Sequence, residues 1–195
     1  MSRVTVRWKC RVPFLRPPTR VFLDTSVLQP LFENGAFIFE DAPLVPSRRL
    51  SRMPDGVNQV ESLRKVVAAT RLAGVALVVS DASLVEVADR GRQDYLEWAE
   101  IARSWWEDEP GDDLFGEGPD ASGFAFLAFQ DSVGYLSDKD RQLVGDALDL
   151  GCEYFLTMET RLSRVARRVL DDTGLAIVRP TELWQLMRPW HVLVA

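Results

Sequence analysis

Four acidic residues stand beside short apolar segments in a way that could bring their carboxylates together. They are Asp24, Glu86, Asp140 and Glu159. Three of them, Asp24, Glu86 and Glu159, lie shortly after an apolar run of strand length, and functional groups collect at the carboxyl ends of strands in parallel sheets. Asp140 instead precedes its nearest strand by a whole helix. It joins the others only if that helix begins at the same edge of the sheet, as a right-handed crossover requires.

Such a group of carboxylates points to a divalent metal ion. Carboxylates held within a few ångströms repel and raise one another's pKa, and a hard cation such as Mg²⁺ or Mn²⁺ removes that repulsion by taking oxygen ligands. A bound ion of this kind polarises a phosphate, lowers the pKa of an attacking water and stabilises the leaving oxygen. An all-carboxylate site without histidine or cysteine suits phosphodiester hydrolysis better than zinc chemistry.

Two of the acids also match a helix-capping pattern that needs no metal. Ser83-x-x-Glu86 and Ser137-x-x-Asp140 have the spacing of a capping box, in which the acid reaches back to the amide of the serine. The helix macrodipole favours an acid at either position as well. Spacing leaves both interpretations of Glu86 and Asp140 open. Asp24 differs because it abuts a buried apolar strand, where an unpaired carboxylate costs stability.

Apolar runs that alternate with helical patterns predict the elements that would position these acids. Strands are predicted at residues 20–24, 75–79, 154–156 and 175–178. A short helical turn is predicted at 27–32, and helices at 57–72, 83–106 with a break near Gly91, 137–150, 160–171 and 181–186. The alternation indicates an α/β fold of three layers, α/β/α, with helices on both faces of a central parallel sheet.

The chain of 195 residues fits one domain with three additions. Residues 1–19 are basic and partly alternating, which predicts an N-terminal extension containing a strand, and residues 20–195 form the main domain. Residues 33–56 are rich in glycine and proline and predict an inserted loop or hairpin. Residues 107–123 predict an inserted acidic loop.

Composition excludes several classes of protein. Two cysteines form no disulfide framework, and the longest apolar run, residues 72–79, is too short to cross a membrane. The N-terminus lacks the apolar stretch of a signal peptide, so we expect a cytoplasmic protein with no membrane partner. The net charge of −6 gives no support for nucleic-acid binding by total charge.

Two local groups of arginines could nevertheless hold RNA phosphates. Arg161, Arg164 and Arg168 share one helical stripe directly after Glu159. Arg48 and Arg49 form a second group in the loop predicted at 33–56. A solvent-exposed basic face explains either group equally well.

Several segments resemble the PIN domain, the fold of the VapC-type toxin ribonucleases. The resemblance is carried, in chain order, by Phe22-Leu23-Asp24-Thr25-Ser26, by the segment 80–86 ending in Ser-Leu-Val-Glu, by the segment from Lys139-Asp140 through Gly151 to Thr157-x-Glu159, and by Ile177-Val178-Arg179-Pro180. The order and spacing of these pieces cover about two-thirds of the chain. One departure is the last acid, which is Glu159 where the family usually has aspartate.

The resemblance implies an endoribonuclease that uses Mg²⁺ or Mn²⁺ and hydrolyses RNA with metal-activated water. Asp24, Glu86 and Asp140 would bind the metal, Glu159 would bind it directly or support it, and Ser26 and Thr157 would hydrogen-bond to ligands or phosphate. A toxin of this family would bind a protein antitoxin and would form a homodimer. An alternative is a PIN-fold RNA-binding or scaffold protein with little activity. A phosphatase of the haloacid dehalogenase type is set aside, because Ser26 stands where that family needs a second aspartate.

Overall fold

Four apolar segments form the strands of one parallel sheet. The computed structural model describes residues 18–107 and 133–194, and its strands are β1 (Arg20–Leu23), β2 (Ala76–Val78), β3 (Tyr154–Leu156) and β4 (Ala176–Val178). Their order is β2-β1-β3-β4, and every neighbouring pair is parallel. The predicted α/β class and the four predicted strands are confirmed. Because β1 lies between β2 and β3, the residue after β1 lies at the middle of the carboxyl edge.

Helices connect the strands. Those in the described part of the chain are α1 (Thr25–Glu33), α2 (Gly35–Phe39), α3 (Arg48–Arg52), α4 (Gly56–Ala73), α5 (Asp81–Asp89), α6 (Gln93–Glu107), α7 (Asp138–Asp149), α8 (Thr160–Thr173) and α9 (Pro180–Val194). The break predicted near Gly91 is confirmed, because Gly91 has a φ of +68° and separates α5 from α6. The last helix extends beyond its predicted end at residue 186.

The hairpin predicted as one alternative at residues 33–56 does not form, and the predicted loop is limited to residues 41–47, between the two short helices α2 and α3. Ser47 begins α3 by accepting a hydrogen bond from the Leu50 amide at 3.1 Å. Each helix buries one apolar residue, Ile38 in α2 and Leu50 in α3. In α3 a side-chain cap and a buried leucine stabilise the helix, whereas α2 has no side-chain cap.

The strands bury both faces of the sheet, as parallel strands between helices do. Side chains alternate along β1: Val21 and Leu23 pack into a core with α1, α4, α6 and α9, whereas Phe22 packs into a second core with α7 and α8. The Phe22 and Phe155 rings stack with centroids 5.1 Å apart. Helices therefore cover both faces, which is compatible with the predicted three layers.

Some predicted features lie outside the described residues. They are most of the N-terminal extension at 1–19, including its strand, and nearly all of the acidic insertion at 107–123. Between residues 18 and 107 and between 133 and 194, no helix combines the length and apolar character needed to span a membrane.

Replacing Phe22 by alanine tests the packing of the second face. Phe22 is fully buried, so Phe22→Ala should lower the free energy of unfolding by about 3–5 kcal/mol through lost burial and a cavity. Val45→Ala is the control, because Val45 is 79% exposed and its truncation should change stability by less than about 0.5 kcal/mol. Chemical denaturation measures both values. A loss below about 1 kcal/mol for Phe22→Ala would contradict this packing.

Candidate active site at the carboxyl edge of the sheet

Asp24 is a buried carboxylate at the middle of the carboxyl edge. It directly follows β1, stands at the N-cap of α1 and is only 3% exposed. One oxygen, Oδ2, accepts hydrogen bonds from the Ser26 hydroxyl at 2.5 Å and the Thr157 hydroxyl at 2.6 Å. These donors are neutral, and among residues 18–107 and 133–194 no cation pairs with Asp24. Burial raises the pKa of Asp24, the hydroxyl hydrogen bonds oppose that rise, and the charge on Glu86 adds to it.

Ser26 and Thr157 tie the ends of β1 and β3 together around Asp24. Ser26 Oγ accepts a hydrogen bond from the Met158 amide at 2.9 Å and lies 3.2 Å from Thr157 Oγ1. Thr157 Oγ1 accepts one from the Glu159 amide at 3.0 Å. Both hydroxyl residues therefore position the Asp24 carboxylate and also fix the backbone that leads to Glu159.

Glu86 faces the edge rather than capping its helix. Ser80 is the N-cap of α5, and its hydroxyl accepts a hydrogen bond from the Ser83 amide at 3.2 Å, so Glu86 lies in the second turn. The capping-box interpretation of Ser83 and Glu86 is therefore wrong. The Glu86 carboxylate accepts a hydrogen bond from Thr25 Oγ1 at 2.7 Å and pairs with Lys139 Nζ at 3.1 Å.

Asp140 both supports its helix end and faces the edge. Ser137 is the N-cap of α7; its hydroxyl accepts a hydrogen bond from the Asp140 amide at 3.3 Å and donates to the Asp140 carboxylate at 2.6 Å. The same carboxylate oxygen pairs with the guanidinium of Arg161, which follows β3. This contact shows that α7 begins at the carboxyl edge, as the right-handed crossover predicted.

Glu159 completes the set of four acids. It is the N-cap of α8 and its side chain is exposed, yet the edge still desolvates the carboxylate in part, and this is the main reason its pKa is raised. The charges on Asp24, Asp140 and Glu86 raise the pKa further, whereas Arg161 lowers it. The other three acids thus all lie within electrostatic range of Glu159.

The donor set fits a hard divalent cation by chemistry, although its present arrangement is not a ready-made metal site. Four carboxylates provide oxygen ligands only, which suits Mg²⁺ or Mn²⁺. In the two described ranges, however, no three His, Cys, Asp or Glu side chains are grouped so that they could hold an ion. Lys139 and Arg161 already occupy oxygens of Glu86 and Asp140. A metal ion bound at Glu86 Oε1 or Asp140 Oδ2 would take the place of Lys139 or Arg161.

The predicted RNA-binding arginines fall into three situations. On α8, Arg161 pairs with Asp140, and Arg168 lies over the Tyr135 ring at 3.9 Å from its centroid. Arg164 is exposed on the same helix, and no ion pair joins it to another described residue. The exposed Arg48 and Arg49 lie on α3, which packs against α4, and no described contact joins them to the four acids. Of these arginines, the structure shows Arg161 in contact with one of the four acids.

Sequence reasoning missed two side chains that contact the acids, Thr25 and Lys139. Thr25 follows Asp24 directly in the sequence, and this adjacency could have indicated that it contacts the acids. Lys139 contacts Glu86 across two helices that are distant in sequence, and no local pattern could indicate that pairing.

A cleft of about 760 Å³ lies elsewhere, beside α1, α2, α4 and α6. Its lining is rich in aromatic residues, among them Phe32, Phe39, Trp98, Trp105 and Trp106, and includes none of the four acids. The acids are therefore distinguished as a candidate site by their chemistry and not by the size of a cavity.

Comparison of the chain with protein-family models, with curated proteins and with solved structures gave no match. The PIN-domain resemblance therefore remains a prediction from the motifs.

Asp24→Asn should stabilise the metal-free protein at neutral pH. The folded protein holds the Asp24 proton more tightly than the unfolded chain, whose pKa is near 3.8. This contribution to stability is complete below that pH and is lost as the pH rises through the raised pKa of the folded state. Asparagine carries no charge to bury, so the melting temperature at pH 7 should rise by about 2–4 °C per kcal/mol of relieved cost.

Thermal unfolding from about pH 4 to 8 with a chelator present measures this effect. The stabilisation by Asp24→Asn should shrink toward acid pH, because the wild-type carboxyl becomes neutral there. Asp149→Asn is the control, since Asp149 is an exposed carboxyl at the end of α7. A lower melting temperature for Asp24→Asn at pH 7 would contradict an uncompensated buried charge.

Proposed function

We propose that the chain is a Mg²⁺- or Mn²⁺-dependent endoribonuclease of PIN type that hydrolyses RNA phosphodiester bonds with a metal-activated water. One observation carries the proposal: Asp24 is a buried carboxylate with neutral hydrogen-bond donors only, beside three further acids at the carboxyl edge. A buried charge without a cation among its described partners costs stability, and proteins retain such groups mainly at functional sites. A divalent cation would supply the missing counter-charge.

Each residue has a distinct role in this proposal. Asp24, Glu86 and Asp140 hold the ion, and Glu159 holds it directly or through water. When bound, the ion supplies Lewis acidity for the phosphate and lowers the pKa of the attacking water. The fixed hydroxyls of Ser26 and Thr157 keep the Asp24 carboxylate in one orientation, so that no reorganisation is needed during the reaction.

RNA is the proposed substrate because cations lie beside the acids. Arg161 and Arg164 stand on the first turns of α8, immediately after Glu159, and both are exposed. Their guanidinium groups can contact phosphates, which position a strand without reading its sequence. Arg168 would extend this contact along α8, and Arg48 and Arg49 on α3 would be a separate contact region.

The PIN resemblance also suggests a biological role for the protein. The protein would be the toxin of a toxin–antitoxin pair, acting in the cytoplasm, with a protein antitoxin and a second copy of itself as partners. The proposal of these two partners is based on the PIN-like motifs around Asp24, Glu86 and Asp140.

A second candidate function is a PIN-fold RNA-binding or scaffold protein without catalysis. The observation that favours it is the pairing of Glu86 with Lys139 and of Asp140 with Arg161. Internal cations of this kind neutralise two acids permanently in a protein that binds no metal. The two candidates therefore differ in whether Mn²⁺ binds at all.

Asp24→Asn should reduce Mn²⁺-dependent cleavage of a single-stranded RNA by about 100-fold or more. Metal catalysis contributes several kcal/mol to transition-state stabilisation, and each 1.36 kcal/mol corresponds to about a tenfold change in rate. Cleavage of a labelled RNA is measured with Mn²⁺, with EDTA, and after Mn²⁺ is restored. Asp149→Asn is the matched control and should cleave at the wild-type rate.

Circular dichroism separates lost catalysis from lost folding in the Asp24→Asn variant. A wild-type protein that neither binds Mn²⁺ nor cleaves RNA would overturn the enzyme proposal and favour the binding or scaffold function. Cleavage that persists in EDTA would also contradict the proposed mechanism.

Arg164→Gln should weaken binding to single-stranded RNA and make it less sensitive to salt. Each lost phosphate contact on a single strand should reduce the slope of log K against log salt concentration by about 0.7. Fluorescence anisotropy in EDTA, which prevents metal-dependent cleavage, measures both quantities. Arg188→Gln, an exposed arginine on α9, is the control. Equal slopes for wild type and Arg164→Gln would remove Arg164 from the RNA interface.

A further inference from the structure

Two ion pairs join different helices across the carboxyl edge. Lys139 on α7 pairs with Glu86 on α5 at 3.1 Å, and Arg161 on α8 pairs with Asp140 on α7. In each pair the cation is mostly exposed, with 71% of the Lys139 side chain and 65% of the Arg161 side chain accessible. The carboxylates are largely buried, with 20% of Glu86 and 12% of Asp140 accessible.

In each pair the carboxylate is therefore held more firmly than the cation. Neutral hydrogen bonds fix the carboxylates, from Thr25 to Glu86 and from Ser137 to Asp140. The cations stand at the end of long side chains in solvent, where an ion pair contributes little because water screens it and ordering the side chain costs entropy. The carboxylates are therefore held by contacts that do not depend on the cations.

The cations also contact oxygens that a divalent ion could use, Glu86 Oε1 for Lys139 and Asp140 Oδ2 for Arg161. Each of them balances one acidic charge, and Arg161 additionally lowers the pKa of Glu159. A divalent ion between two carboxylates would replace both monovalent partners with one compact charge of +2. The pairs and the metal are thus alternative ways to neutralise the same acids.

We propose that Lys139 and Arg161 are internal counter-ions that hold the empty site together and compete with the divalent cation for Glu86 and Asp140. This inference rests on the proposed function, because it concerns the same site. Lys139 and Arg161 act here as positioning residues that set the metal concentration at which the site fills. Their release would free Glu86 Oε1 and Asp140 Oδ2 for the metal ion.

A purely structural role for the pairs makes the opposite prediction. If Lys139 and Arg161 only tie α7 to its neighbours, their removal loosens the site, and Mn²⁺ should bind with equal or lower affinity. If they compete with the metal, their removal should raise the affinity. The sign of the change separates the two roles.

Isothermal titration of the full chain with MnCl₂ measures the affinity without any activity assay. Lys139→Gln and Arg161→Gln should each lower the Kd for Mn²⁺ about fivefold, the factor expected for loss of one exposed ion-pair partner. Lys139→Arg and Arg161→Lys, which keep the charge, should remain near the wild-type value. Arg167→Gln is the matched control, because Arg167 lies on the same helix in an exposed pair with Asp171 and should leave the Kd unchanged.

Thermal unfolding supplies an independent readout. Without metal, Lys139→Gln and Arg161→Gln should melt below the wild type, because their acids lose a counter-charge. Saturating Mn²⁺ should close that gap, since the ion replaces the missing charge. A gap that persists in saturating Mn²⁺ would support fixed structural pairs and overturn the proposal.

The pattern across variants distinguishes failure of this inference from failure of the proposed function. If wild type binds Mn²⁺, Asp24→Asn abolishes binding, and the two glutamine variants bind equally or more weakly, the inference alone is wrong. If wild type and all variants bind no Mn²⁺, both the inference and the proposed function are wrong. Binding by Lys139→Gln or Arg161→Gln but not by wild type would support both.

Discussion

The burial of one carboxylate at the end of the central strand is the constraint around which this edge of the sheet is organised. Asp24 follows β1, which has a neighbour on each side, and only 3% of the residue is exposed. Ser26 and Thr157 surround the carboxylate with hydroxyl donors, and no described cation pairs with it. A protein selected only for stability would place a neutral or apolar residue here, because burying a charge is costly.

The other three acids also place negative charge at this edge, but each of them is less buried than Asp24. Glu86 and Asp140 are partly buried and each has a cation and a hydroxyl as partners, whereas Glu159 is exposed and feels the charges of the other acids. Their mutual repulsion is lowest when a compact positive charge lies among them. If the proposed function holds, the solvent-exposed cations from neighbouring helices stabilise the metal-free site, a compromise between function and stability.

Much of the fold could be predicted from the sequence because its signals are local. Each strand is a short apolar run such as residues 154–156, and Gly91 interrupts the long helical pattern where the backbone needs a positive φ. The prediction missed the short helices α2 and α3 on either side of the loop at residues 41–47; in α3, Ser47 caps the helix and Leu50 is buried. For Glu86 the sequence left two interpretations open, and the structure excludes the capping box because Ser80, three residues before Ser83, is the N-cap.

The sequence by itself determined the alternation of strands and helices, and with it the expectation that Asp24, Glu86, Asp140 and Glu159 meet at one edge. That much follows because strand and helix periodicity and crossover handedness are properties of neighbouring residues and of chirality. Only the tertiary structure decided which side chain neutralises which acid. The contacts of Lys139 with Glu86 and of Arg161 with Asp140 join helices distant along the chain, and the energy of such pairs depends on burial that exists only after folding.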